Sequence, residues 1–133
     1  MRTLIVLLMA AVLSTTVQAS DESGEKSIQH LKVADVTSIE DARKIFIEKT
    51  SEIRSKRDLD EAELQQIHVI TYTLEKSVEF FTFNLIGDNK KLADDLAVVV
   101  ENIHLNSERN RKEQTKKHLN QYFVLADRLI ASF

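Results

Sequence analysis

From Thr37 to Phe133 the chain holds no proline and a single glycine, Gly87. A β-sandwich or barrel reverses direction at short intervals and needs Gly and Pro to do so, which makes either a poor fit. The same scarcity removes the P-loop and the dinucleotide fingerprint, both of which need clustered glycines. There is no cysteine. That excludes a disulfide scaffold and any thiolate-ligated zinc or iron–sulfur centre. What remains is one domain of helices.

The hydrophobic spacing predicts four of them, over about 38–55, 59–86, 89–107 and 110–132. The first opens at a Ser/Thr-x-x-Glu capping box, Thr37 to Glu40, and repeats Ile39, Ala42, Phe46, Lys49 and Ile53 at 3-4 spacing. The second, with Asp58 as its cap, carries a sustained stripe of Leu64, Ile67, Thr71, Leu74, Val78, Phe81 and Leu85. At 1.5 Å per residue it is roughly 40 Å long. Gly87 is expected to end it in a left-handed C′ position. The third places Ala93, Leu96, Ala97, Val100, Ile103 and His104 on one face. The fourth, capped by Asn110, does the same with Leu119, Tyr122, Phe123, Ala126, Leu129, Ile130 and Phe133. Short links set consecutive helices side by side and antiparallel, so residues 37–133 read as an all-α, up-down-up-down four-helix bundle.

Residues 1–19 read as an address. A charged Met1-Arg2-Thr3 precedes the apolar run Leu4–Leu13 and a small, polar stretch ending at Ala19. This is the plan of a secretory signal peptide, with cleavage expected after Ala19. The apolar run is ten residues long, where a membrane-spanning helix needs about 20. No cysteine follows it for lipid attachment, so no stable membrane anchor is expected. Residues 20–36 read as a polar, poorly ordered arm. Removing Arg2 leaves 17 basic against 21 acidic residues, a net charge of −4. Such a surface does not suit nucleic acid. Periplasmic export is the expectation.

Few residues break the bundle pattern. His68 and Glu75 flank Thr71 beside the stripe of helix two. His104 borders the core face of helix three, with Glu101 and Glu108 one turn to either side. In a hairpin turning near Gly87-Asp88, residues lie level when their numbers sum to about 175. That sets His104 level with Thr71 and His68 level with Ser107. Imidazole and carboxylate from facing helices are standard metal ligands inside a bundle. His68, Glu75, His104 and Glu108 are therefore candidate ligands for a divalent transition metal, copper or zinc. The alternative is that the two histidines hydrogen-bond Glu, Thr or Ser across the interface and fix helix register. Glu101-x-x-His104 has di-iron spacing, but helix two offers Gln65-x-x-His68 instead of a second copy. Haem finds no Cys-x-x-Cys-His motif, and both methionines fall within residues 1–19. His30 and His118 read as solvated.

Val69, Tyr72, Phe80 and Phe83 lie roughly opposite the core stripe of helix two. They are either covered by neighbouring segments or form an interface for a homodimer or protein partner. No Ser/His/Asp set, Cys nucleophile or Gly-rich loop points to an enzyme.

The strings Ile67-His68-Val69-Ile70-Thr71-Tyr72-Thr73-Leu74-Glu75 and Ile103-His104-Leu105-Asn106-Ser107-Glu108 resemble an uncharacterised family of small secreted proteins of Gram-negative bacteria. Its members carry a pattern like His-x-x-x-Tyr-x-x-Glu and a later one like His-x-x-Ser-Glu. The resemblance implies that His68, Tyr72, Glu75, His104, Ser107 and Glu108 are motif positions, and it implies no activity. Phe80-Phe81-Thr82-Phe83 departs from the small and charged residues associated with that part of the family.

Overall fold

The computed structural model describes residues 32–133. The expected signal peptide and most of the arm lie outside the described residues. Four helices follow: α1 (Ile39–Arg54), α2 (Glu61–Asn84), α3 (Gly87–Glu108) and α4 (Lys112–Ile130). α1 packs on α2, α2 on α3 and α3 on α4, and a sparser α1–α4 contact closes the ring. With links this short, the arrangement is an up-down-up-down bundle.

The stripes supply the core. Phe46 of α1, Phe81 of α2 and Tyr122 of α4 are fully buried. Their rings meet around Phe46, with centroids 5.6 Å from Phe81 at 82° and 6.2 Å from Tyr122. Edge-to-face contact of this kind adds about 0.5–1.5 kcal/mol to area burial. Leu64, Ile67, Leu74 and Val78 from α2 face Leu96, Val100 and Ile103 from α3 in the same core. The stripe of α1 differs from expectation at one position. Thr50 rather than Lys49 is buried, because its hydroxyl shares a 2.6 Å hydrogen bond with Tyr122 Oη across to α4. Lys49 turns outward to pair with Glu52 at 2.7 Å.

The helix ends fall away from the predicted positions, each for a local reason. Ser38, not Thr37, caps α1, its Oγ accepting from Asp41 N at 3.1 Å. α2 is capped by Asp60, not Asp58; its carboxylate accepts from Glu63 N at 2.9 Å. Glu63 reaches back to the amides of Asp58 and Leu59. Leu59 and Leu64 are both buried at the two positions of a hydrophobic staple. Asn110 does not cap α4. It ends α3, with φ +52°, Asn110 N donating to Ser107 O and Arg111 N to Asn106 O. That is a Schellman closure, in which Asn is the usual substitute for Gly.

Gly87 also moves. α2 leaves its last turn through an extended Leu85, and the Asn84 side chain donates to Phe80 O at 2.8 Å. One orphan carbonyl is thereby satisfied without a left-handed residue at C′. Gly87 instead opens α3, at φ +60°. A Cβ there would meet nothing within 4 Å, so the cost of Gly87→Ala is backbone strain alone. Denaturant unfolding of Gly87→Ala should show a loss of about 1–2 kcal/mol with an unchanged m-value, and Gly87→Asn should lose less.

Burial pushes the Tyr122 phenol well above its ordinary value of 10, and the Thr50 hydrogen bond only partly offsets this. A group raised in the folded state contributes stability that is full below its unfolded pKa and lost as pH rises through the folded one. Stability should therefore begin to decline above about pH 10. Tyr122→Phe should flatten that decline while costing about 1 kcal/mol at neutral pH, as read by unfolding curves across the pH series.

Candidate functional site

The hairpin of α2 and α3 brings the two histidine strings together at the end of the bundle where α2 begins and α3 ends. On a helix, side chains at i and i+4 share a face. His68 and Tyr72 form such a pair on α2, and His104 and Glu108 another on α3. The expected register holds at its centre: Thr71 Oγ1 lies 3.0 Å from His104 Nδ1. His68 and His104 are 8% and 7% exposed, so both imidazoles exchange most of their water for protein contacts. The rings of His68, Tyr72 and His104 pack mutually, with centroids 4.8–5.2 Å apart.

The hydrogen bonds assign the protonation of His104. Thr71 Oγ1 donates its one hydrogen to His68 O at 2.6 Å. It can then offer only a lone pair to His104 Nδ1. Glu75 Oε1, shielded from solvent, lies 3.0 Å from the same nitrogen. With the Thr71 hydrogen committed to His68 O, Nδ1 supplies the hydrogen of its contact with Thr71 Oγ1, and the Glu75 carboxylate adds an ion-pair contact at the same nitrogen, off the line of a hydrogen bond. Neutral His104 is therefore the Nδ1–H tautomer, and its Nε2 carries the free lone pair.

His68 Nε2 lies 3.2 Å from the Tyr72 hydroxyl. Burial and the carboxylates of Glu108 and Glu75 push the Tyr72 phenol above its ordinary value, so it stays neutral at physiological pH. Ser107, also buried, donates its hydroxyl to His104 O at 3.0 Å. It closes the helix backbone rather than facing the histidines. Beyond the site, Gln65 Nε2 donates to Asn110 Oδ1 at 2.9 Å, tying the start of α2 to the α3–α4 turn.

Of the four candidate ligands, three converge. His68, His104 and Glu108 each offer a ligand atom, and these atoms all lie within 4.8 Å of one another. Glu75 holds the Nδ1 side of His104 instead. A carboxylate on one imidazole nitrogen, with the other free, is the arrangement that orients a metal-ligating histidine. Sequence reasoning placed Tyr72 in the association patch, but it is buried against both histidines. Its i+4 spacing from His68 was the available signal. Phe80 packs against the core. Val69 and Phe83 are 50% and 80% exposed and lie 14 positions apart, about 21 Å along the helix. The four do not make one exposed surface. His118 is half-buried, its Nδ1 3.2 Å from Gln121 Oε1.

A groove of about 480 Å³ runs along α2 and α3 from this cluster, with Tyr72 and Glu75 in its wall and Val78, Ala97 and Val100 among its apolar lining. Val33 borders it from the arm, held nearby by the Asp35–Lys76 ion pair at 2.8 Å.

The tautomer can be read directly. Long-range ¹H–¹⁵N NMR of the metal-free protein above pH 8 should show His104 protonated at Nδ1. Replacing both acceptors, in Thr71→Val/Glu75→Leu, should move His104 toward the Nε2–H form common in free histidine. An Nε2–H signal in the wild-type chain would contradict the assignment.

None of the described helices is long and apolar enough to cross a membrane. No curated protein and no solved structure shows significant similarity to the chain. Residues 1–131 match the model of DUF6746, a family of unknown function. With nearly its whole length matched, the chain belongs to that family.

Proposed function

We propose that the protein is an exported, periplasmic binding module, not an enzyme, and that it binds a divalent transition metal through His68, His104 and Glu108. The convergence of those three ligand atoms within 4.8 Å carries this reading. A tetrahedral zinc ion with bonds of about 2.1 Å holds its donors about 3.4 Å apart, so the widest pair must close by at most about 1.4 Å. Side-chain rotation supplies that. Two imidazoles and a carboxylate suit zinc or copper, and no thiolate is present to favour softer ions. Glu75 supports the reading, since its Oε1 lies 3.0 Å from His104 Nδ1 and a carboxylate beside one ring nitrogen is the kind of partner that orients a metal-ligating histidine. The signal-peptide pattern of residues 1–19 supports the address.

An association surface on Val69, Tyr72, Phe80 and Phe83 is the weaker reading, because Tyr72 and Phe80 are turned inward.

Calorimetric titration with zinc and with copper tests the proposal. One ion should bind per chain. A His68→Ala/His104→Ala double variant that still folds should abolish the binding. Glu75→Gln should weaken it by roughly 10-fold or more while leaving the stoichiometry unchanged. Absence of binding, or binding unaltered in the double variant, overturns the metal site.

A further inference from the structure

We propose that the outward face of α4 and the α3–α4 turn form a cationic surface that attaches the exported chain to an anionic phospholipid bilayer without inserting into it. The inference is independent of the metal reading. It takes from the proposed address only the choice of lipid over nucleic acid.

The negative net charge averages two unlike parts. Residues 32–108 hold 10 basic and 16 acidic side chains, whereas residues 109–133 hold 6 basic and 2 acidic, a net charge of +4. The six are Arg109, Arg111, Lys112, Lys116, Lys117 and Arg128, and all are exposed. Among the described residues no ion pair holds any of them. Of the two acids, Asp127 is taken by Arg54 of α1 at 2.6 Å, which leaves Glu113. Helical geometry gathers the charge. α4 turns Thr115, Leu119, Tyr122, Ala126 and Leu129 inward. At about 100° per residue, Lys116, Lys117 and Arg128 then fall around the opposite pole, beside Val124. α4 also starts without a side-chain cap, so its first amides add partial positive charge next to the turn.

Shape selects the partner. The face is the convex outside of a helix, and its charges are strung over about 24 Å from Lys112 to Arg128. The groove of the bundle is lined by α2, α3 and the arm instead. Cations spread over a convex face match a broad anionic surface better than a small anion. Val124, 63% exposed, is the one large apolar side chain that α4 exposes. Burial among acyl chains therefore contributes little, and the attraction comes from the lipid headgroups. An exported chain meets bilayers and not nucleic acid.

The exported chain, residues 20–133, is sedimented with vesicles of phosphatidylcholine containing about one-third phosphatidylglycerol. A chelator is present so that no metal bridges protein to phosphate. Binding is expected to these vesicles and not to phosphatidylcholine alone. It should fall steeply as salt passes about 0.1 M, where the Debye length is about 10 Å. Lys116→Gln/Lys117→Gln/Arg128→Gln should bind at least about tenfold more weakly. Lys44→Gln/Arg57→Gln/Lys91→Gln, which removes the same charge elsewhere, should bind as the wild-type chain does. No binding to the anionic vesicles, binding that salt does not weaken, or an equal loss in both triple variants overturns the surface. Duplex DNA held more tightly than the vesicles at the same salt also overturns it. Vesicle binding by a chain that cell fractionation finds in the cytoplasm overturns the address and leaves the surface standing.

Discussion

A helix that buries an apolar stripe can slide or turn against its neighbour at little cost, because one branched side chain packs nearly as well as the next. Buried polar groups do not have that freedom, since each must keep its hydrogen bond. Among the described residues, three such links join the helices. Ser77 of α2 donates to Ala42 O of α1 at 2.6 Å. Thr50 of α1 meets Tyr122 of α4. Thr71 of α2 meets His104 of α3. Each is buried, and each fixes the height of one helix against another.

The third link does more than fix height. Because the Thr71 hydrogen goes to the backbone, its lone pair faces His104 Nδ1, and the Glu75 carboxylate makes an ion-pair contact at the same nitrogen. The proton on that nitrogen follows, and with it the free lone pair on Nε2. A buried neutral imidazole has one donor and one acceptor nitrogen to satisfy. At His104 the Nδ1 side meets Thr71 and Glu75, and His68 and Glu108 each bring a possible ligand atom to within 4.8 Å of one of its ring nitrogens. The same contacts that set the register of α2 and α3 thus also bring three possible ligand atoms within 4.8 Å of one another.

Much of this was legible in the sequence, and the division has a physical basis. The stripes of α1 to α4 depend on spacing, which the sequence states outright. The pairing of Thr71 with His104 followed from the hairpin register because α2 and α3 are joined by Leu85 and Ile86 alone, which leaves little room to slip. Helix ends were less legible. Ser38, Asp60 and Asn110 each won or lost a cap through one hydrogen bond, and neighbouring residues of similar chemistry compete for each. Glu75 looked like a ligand because it shares a face with His68; only the rotation of α2 against α3 shows that it meets the far nitrogen of His104. Tyr72 looked like surface because apolar residues opposite a stripe normally are. Its place between two imidazoles depends on both helices at once.

The central claim is that His68, His104 and Glu108 form one inner coordination sphere. X-ray absorption at the zinc edge, on protein loaded with one equivalent and dialysed, tests it most directly. The account predicts two imidazole scattering patterns and additional oxygen at about 2.0–2.2 Å, with one imidazole lost in His104→Ala. Zinc removed by dialysis, or an all-oxygen sphere without imidazole, would contradict it.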